Sequence, residues 1–534
     1  MAALACAIGL TVKYGSTYRP VVEPVREIEE IWALEDAREE SGEPLVTRLF
    51  CNGIPMAYDA ENNVFYGSLG LENGAQWPEI KLTASEEAAK GLSLCFADDY
   101  GFDDCDAAIR EGYSYQIFAY TDTAYSYAEV VFTGLPLVNV TADQTIERED
   151  VPAQIEIALA AEGLQTNGRI HKRGGASILN DKVGYKLEFT RTTDGKKKIY
   201  REIPGRGTDS QVILLPMNAL DTTMMRDRLS WALYARLTRR DEPFSARKTQ
   251  YCELFLNGEY RGVYLMLEPF SVRQEVAKAG EERLTTDSVY RTAVISLSHG
   301  RPCMEDPYSA ATGFELYYPM DGEPDFSPLA DYFALLGETD DAAFMRRAAQ
   351  IIDLDSALRY DVVLQLFGLT DNVINNMYTW AQNSRGHTRY RFDFWDLDVS
   401  WGLKRDEIGE MHENWVFFPL VDRLLRADEE GGVRQRYGEI YREVREKAFD
   451  TETVEALVGQ YAHELNDSGA MARNAERWET ENYAADGYEL VAFAAERIAL
   501  LDEPVRAMSA GEEIDLRFLE KTNYDDKGTP LSEE

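Results

Sequence analysis

The sequence predicts an α+β protein, with a β-rich, sandwich-like N-terminal region, a middle in which hairpins alternate with helices, and a mostly helical C-terminal third. Three observations carry this expectation. Between Leu45 and about Val140, short strand-like runs (LVTRLFCNG, NVFYGSLGL, EIKLTA, LSLCF, SYQIFAYT, AEVVFTGLPLVNV) are separated by turn residues at sandwich-like spacing. The stretch ELFLNGEYRGVYLML places Asn257-Gly258 between two apolar arms, a type I′ hairpin signal. From Asp353 onward, Leu354, Leu358, Val362, Leu366 and Leu369 recur at helical spacing behind a capping residue.

The remaining elements follow in order. MAALACAIGLTVKYG is a short apolar stretch without a basic leader, read as a trimmed export segment or a first strand. Residues 23–41 are charged and helix-like, and Ser41-Gly42 breaks the pattern. The acidic run 143–150 with Pro152 marks a boundary. YKLEFTRTTDGKKKIYREI reads as a hairpin with Asp194-Gly195 at its tip, and Asp221 as the cap of a helix over about 221–238 carrying Leu229, Ala232, Leu233 and Leu237 on one face. Residues 271–340 read as irregular, and MYTWAQNSRGHTRYRFDFWDLD as a third hairpin turning near Ser384–Gly386. Helices fill about 413–501, and a polar tail follows. The expected division is a leader or linker (1–42), a β-rich accessory domain (43–142), a catalytic-type core (143–505) and a polar tail (506–534).

Lys plus Arg number 55 against 94 Asp plus Glu, a net charge of −39. Such a surface repels nucleic acid and anionic lipid, so neither is an expected partner. There is no apolar run long enough for a membrane span. Of the six cysteines none forms a CxxC pair, which argues against zinc; Cys95 and Cys105 either close a disulfide loop or stay as buried thiols. His171, His387 and His412 are scattered and carry no ligand pattern.

One constellation carries chemistry. Asp371 follows the helix that ends near Leu369, Asn376 lies five residues on, and a hairpin then leads to Asp396. A protein kinase uses this order: an Asp receives the acceptor's hydroxyl proton, an Asn holds one Mg²⁺, and a second Asp holds the metal bridging the phosphates. Upstream the order agrees, with a strand bearing Lys186, a helix, and two strands ending at Leu267-Glu268-Pro269. Lys186 would then meet the phosphates, with Lys172 and Lys182 as competitors, and Glu268 would sit at an adenine hinge or serve as a structural hydrogen-bonding group. Because Asp396 and Asp398 alternate on an extended segment they are expected on opposite faces, with Asp396 reaching the metal and Asp398 in support or as a cap.

Residues of about 165–420 resemble the CotH kinase family. KRGGASI is similar to its RGNSS-type motif through Arg173, Gly174 and Ser177, and YKLEF to its lysine strand. LDTTMMRDRLSWALYARL resembles its helix through Met225, Arg226 and Leu229. ELFLNGEYRGVYLMLE matches through Asn257, Gly258, Tyr260, Gly262, Tyr264 and Glu268. DNVINNMYTW, FWDLDVSWG and NWVFFPLVDRLL continue the likeness in order. The resemblance implies an atypical, two-lobed protein-kinase-like core that uses ATP with Mg²⁺ or Mn²⁺ to phosphorylate Ser or Thr of a secreted, cell-surface or spore-coat protein. It implies that Asp371, Asn376 and Asp396 carry the reaction; Lys186 is expected to join Asp371 in catalysis, Lys186, Arg173, Glu268 and Arg226 to contact the nucleotide, and Asn376, Asp396 and Asp398 to bind metal, with Arg226 alternatively in a salt bridge to a carboxylate in the cleft or exposed on its helix. The chain departs from the pattern at Phe394, where the family has Pro, and at RGGAS, which lacks the motif's Asn; no Gly-rich loop is evident, leaving Arg173 with the Gly174-Gly175 backbone as the phosphate cradle. Two other readings stand beside this one: a non-catalytic surface scaffold, and a glycosyltransferase using Asp396-Leu397-Asp398 as a DxD motif.

Overall fold

The computed structural model describes residues 20–72, 74, 80–85, 91–97, 104–174, 176–217, 221–239, 244–271, 287–293, 313–318, 325–384, 387–403, 415–479 and 485–512. The expected leader, the polar tail beyond 512, Cys6, Cys303 and His412 lie outside them. Strands and helices are mixed throughout, as an α+β chain requires. Two compact units are formed, the first from Met1–Gln211, Tyr251–Tyr264 and Glu464–Tyr483, the second from Val212–Gln250, Leu265–His463 and Ala484–Glu534.

In the first unit, a mixed sheet runs Val22–Glu23, Ser93–Phe96, Ser114–Tyr120, Ala124–Thr133, Val64–Ser68, Ala57–Asp59. Strand alternation divides its two faces. Ile117, Ala119 and Val130 enter a core shared with Leu49 and Leu82, which belong to a small three-stranded sheet. Phe118, from the same strand, packs with Ile31 of the helix Ile28–Asp36 on the opposite face. A second sheet follows, in which Leu137–Thr141, Val151–Leu159, Glu162–Arg173 and Gly184–Thr190 pair antiparallel in succession. Thr249–Leu256 lies parallel beside Leu137–Thr141 and turns through Asn257 and Gly258, at φ 53° and 79°, as the Asn-Gly signal requires.

The hairpin expected around Asp194-Gly195 is short. It holds one bridge, Thr190 to Lys198, and Arg201–Ile203 pairs instead with Gly207–Asp209. The possible Cys95–Cys105 disulfide does not form: Cys51, Cys95, Cys105 and Cys252 are all buried thiols.

The second unit contains a four-stranded antiparallel sheet ordered Phe314–Tyr318, Ser288–Ala293, Asn375–Ser384, His387–Phe394. Part of the segment read as irregular thus forms strands, because its short runs gain partners far along the chain. The third hairpin is formed as expected, with Ser384 opposite His387. The helix Leu354–Phe367 starts where Asp353 accepts the N–H of Ser356 at 3.1 Å, and it is buried on nearly every side from Ala357 to Phe367 rather than along one stripe. Gly368 ends it at φ 66°, where a Cβ would meet Phe493 at 2.7 Å, so both conformation and space demand glycine. The helix expected from Asp221 begins only at Arg226 and runs to Ala235; Asp221 forms a preceding turn, accepting from Thr223 and from the Arg226 N–H.

Candidate active site

The second unit gathers Asp371, Asn376, Asp396 and Asp398. Asp371 opens a single-turn helix, Asp371–Ile374, and the next strand begins at Asn375. This turn brings two amides back onto the Asp371 carboxylate: Asn375 Nδ2 donates to Oδ1 at 3.0 Å and Asn376 Nδ2 to Oδ2 at 2.8 Å. Asp371 is only 5% exposed, and these charge-assisted bonds fix its rotamer. The Asp396 backbone is tied to the same turn, since Trp395 N–H donates to Asn376 O at 2.9 Å and Asn372 Nδ2 donates to Trp395 O at 2.7 Å. Asn376 and Asp396 both adopt left-handed backbone, at φ 58° and 55°. Asn and Asp tolerate this region better than most residues, and such conformations cluster at functional sites.

The positive φ of Asp396 changes one expectation. The segment is not a plain extended run, so strict alternation does not separate Asp396 from Asp398. Burial and then the charges of Asp396, Asp227, Asp371 and Asp221 push the Asp398 carboxyl well above its ordinary range. Hard carboxylate oxygens, an amide and surplus negative charge suit Mg²⁺ or Mn²⁺. Among the described residues no three acidic side chains form a ready cage.

Arg226, expected at the nucleotide or in a salt bridge to a carboxylate, is 3% exposed rather than on an open helix face and is ion-paired with Asp221 and with Glu489 at 2.7 Å, while its Nε donates to Ser400 O at 3.1 Å. Glu268 is buried and braces the backbone: Lys248 N–H donates to its Oε2 at 3.1 Å, and its own N–H donates to Lys248 O at 2.9 Å.

The first unit holds Arg173 and Lys186. In the register of Glu162–Arg173 with Gly184–Thr190, His171 stands opposite Lys186 and Arg173 opposite Gly184, so Lys186 and Arg173 are diagonal neighbours on one face. Burial first, and Lys198 second, lower the Lys186 ammonium below its ordinary range against Glu188 and Asp150. The competing lysines sit otherwise. Lys172 alternates to the other face and pairs with Glu147 at 2.9 Å, whereas Lys182 donates to Val263 O at 2.7 Å and Asn474 Oδ1 at 2.9 Å. Gly174, at φ 131°, is a close backbone approach, since a Cβ there would run into Ser177 Oγ; Gly175, the other half of the expected cradle, lies outside the described residues.

Sequence reasoning missed Asn372, Asn375 and Asp227. The first two stand in the Asn-rich DNVINN run, a signal open to reading; Asp227 has no distinguishing local pattern. No helix among the described residues is long and apolar enough to cross a membrane. No curated protein matches the chain. A family model described as CotH kinase protein matches residues 170–501, well over half the sequence and spanning every residue of the constellation above, and the chain therefore belongs to the CotH kinase family.

Proposed function

We propose that this kinase-like protein is a metal-dependent protein kinase with a two-lobed core, transferring the γ-phosphate of ATP to Ser or Thr of a secreted or surface protein. The observation that carries the reading is the Asp371 carboxylate held by two amides on the turn that also anchors Asp396. Asp371 orients the acceptor hydroxyl and takes its proton. Asn376 and Asp396 hold divalent metal, with Asp398 beside them. Lys186 and Arg173, on one strand face, steady phosphate oxygens, and Glu268 lies at the expected hinge. Bound metal supplies charge neutralisation along the β,γ-phosphates. Residues 43–142 form an accessory domain and 143–505 the catalytic core, and the protein acts outside the cytoplasm, at a cell surface or spore coat. The reading draws support from the family match and from this geometry.

The test is transfer of labelled γ-phosphate from ATP, with Mg²⁺ or Mn²⁺, to the protein itself and to a generic acceptor. Asp371→Ala and Asp396→Ala should each lower transfer by about 10²–10⁴-fold. A folded wild-type protein that neither binds ATP nor transfers phosphate with either metal would leave the non-catalytic scaffold, which the loss of the motif Asn in RGGAS favours.

A further inference from the structure

The segment from Trp395 to Trp401 carries both Asp396 and Asp398, and it is irregular throughout, with Asp396 and Trp401 at positive φ. An irregular loop holds ligands in place only if something outside it fixes its backbone. Three residues on the first turn and a half of the helix Arg226–Ala235 do this. Asp227 Oδ1 accepts the N–H of Leu397 at 3.0 Å. Arg226 Nε donates to Ser400 O at 3.1 Å. Trp401 Nε1 donates to Ser230 Oγ at 2.9 Å. Asp227, Arg226, Ser230, Leu397, Ser400 and Trp401 are all buried, so no water substitutes for a lost partner. Leu397 is the residue between Asp396 and Asp398 in the sequence, so its peptide N–H is the main-chain group shared by the two carboxylate-bearing residues.

We propose that Asp227 is a positioning residue for the metal-binding loop, acting with Arg226 and Ser230 so that this helix sets where Asp396 and Asp398 present their oxygens. The proposal rests on the phosphoryl-transfer reading for its consequence, though not for its geometry. Asp227 acts on the loop through the Leu397 N–H. The Arg226 guanidinium is in turn held by Asp221 and by Glu489 at 2.7 Å, so the helix transmits its own position to the loop. Partners of this kind commonly govern metal affinity or activity by about 10–100-fold.

Three variants separate positioning from charge and from bulk stability. Asp227→Asn keeps an oxygen acceptor for Leu397 while removing the negative charge; Asp227→Ala removes both; Ser230→Ala loosens only the Trp401 end. Mn²⁺ affinity in the presence of a non-hydrolysable ATP analogue is read by the Mn²⁺ resonance signal, amide exchange of 395–401 is read without metal, and phosphate transfer is read separately. Positioning predicts about 10–100-fold weaker Mn²⁺ binding and faster exchange at Leu397 in Asp227→Ala, restoration of most of both by Asn, and an intermediate loss in Ser230→Ala. Wild-type Mn²⁺ affinity in folded Asp227→Ala overturns the proposal, and Asn behaving as badly as Ala overturns it in favour of a charge effect. If the wild type itself binds no Mn²⁺–nucleotide, the kinase reading fails. Loop exchange then decides positioning alone: acceleration in Ala that Asn reverses sustains it, and unchanged exchange ends it.

Discussion

Asn375 and Asn376 both donate to Asp371, yet the proposed roles divide them. In the proposed roles Asn375 supports the Asp371 carboxylate, whereas Asn376 would also offer its amide oxygen to a metal. Asn375→Ala should therefore lower kcat by about tenfold, the scale of one lost charge-assisted bond at about 1.5 kcal/mol, while leaving the Mn²⁺ concentration for half-maximal rate unchanged. Asn376→Ala should lower the rate and also raise that concentration. A metal titration of the transfer rate checks both, and equal metal dependence for the two variants would refute the division. At this scale Asp371, Asn376 and Asp396 were readable because their spacing follows from one helical turn, the start of a strand and a hairpin. Asp227 was not, because its partner Leu397 lies 170 residues away and nothing in the local string MMRDRLSW tells an inward Asp from a solvated one. For Asp398 the premise of alternation does not apply, because alternation presumes extended backbone and Asp396 has a left-handed one.

Among elements, the helix Leu354–Phe367 shows where periodicity stops being informative. Its apolar positions and cap were legible, but so was a polar face that the fold buries: Asp361 and Gln365 are fully enclosed. Gln365 bridges the Val416 N–H at 2.8 Å and Val416 O at 2.6 Å, and Asp361 accepts from Tyr437 Oη at 2.8 Å. Tertiary packing thus overrides an amphipathic pattern by supplying hydrogen-bond partners from other elements. Burial pushes the Asp361 carboxyl up to about 8. Between its ordinary value, near 4, and 8 the folded protein keeps a proton that the unfolded chain has released, so this group's contribution to stability falls as pH rises through that window. Asp361→Asn, which mimics the protonated acid, should gain stability relative to wild type from pH 5 to pH 8, by at most about 4 kcal/mol at about 1.4 kcal/mol per pH unit. Urea unfolding at both pH values measures it; a variant difference independent of pH would show that Asp361 is ionised in the folded state.

Over the whole molecule, an excess of 39 negative charges favours solubility and works against compaction, so the few cations buried in the fold matter more than their number suggests. Composition announces this imbalance but not where those cations go. The first unit includes residues 464–483, which no local signal assigns to it. The helix Ala470–Trp478 reaches back to Thr249–Leu256 and Glu259–Leu267 through Arg473, which grips Glu253 in two bonds of 2.9 and 2.8 Å, and through Asn474, whose Oδ1 accepts the Val263 N–H at 3.0 Å. Glu253 is fully buried, and Arg473 holds its carboxyl below the ordinary range despite that burial. Removing the cation alone strands a buried carboxylate, so Arg473→Met should cost about 3–5 kcal/mol and speed amide exchange across 251–264. Removing both charges avoids the stranded carboxylate, so adding Glu253→Gln should recover more than half of that loss. Urea unfolding together with site-resolved exchange distinguishes the cases. A double variant no more stable than Arg473→Met would mean that the arginine acts by packing alone, and the pair would then have no part in joining this late helix to strands laid down more than two hundred residues earlier.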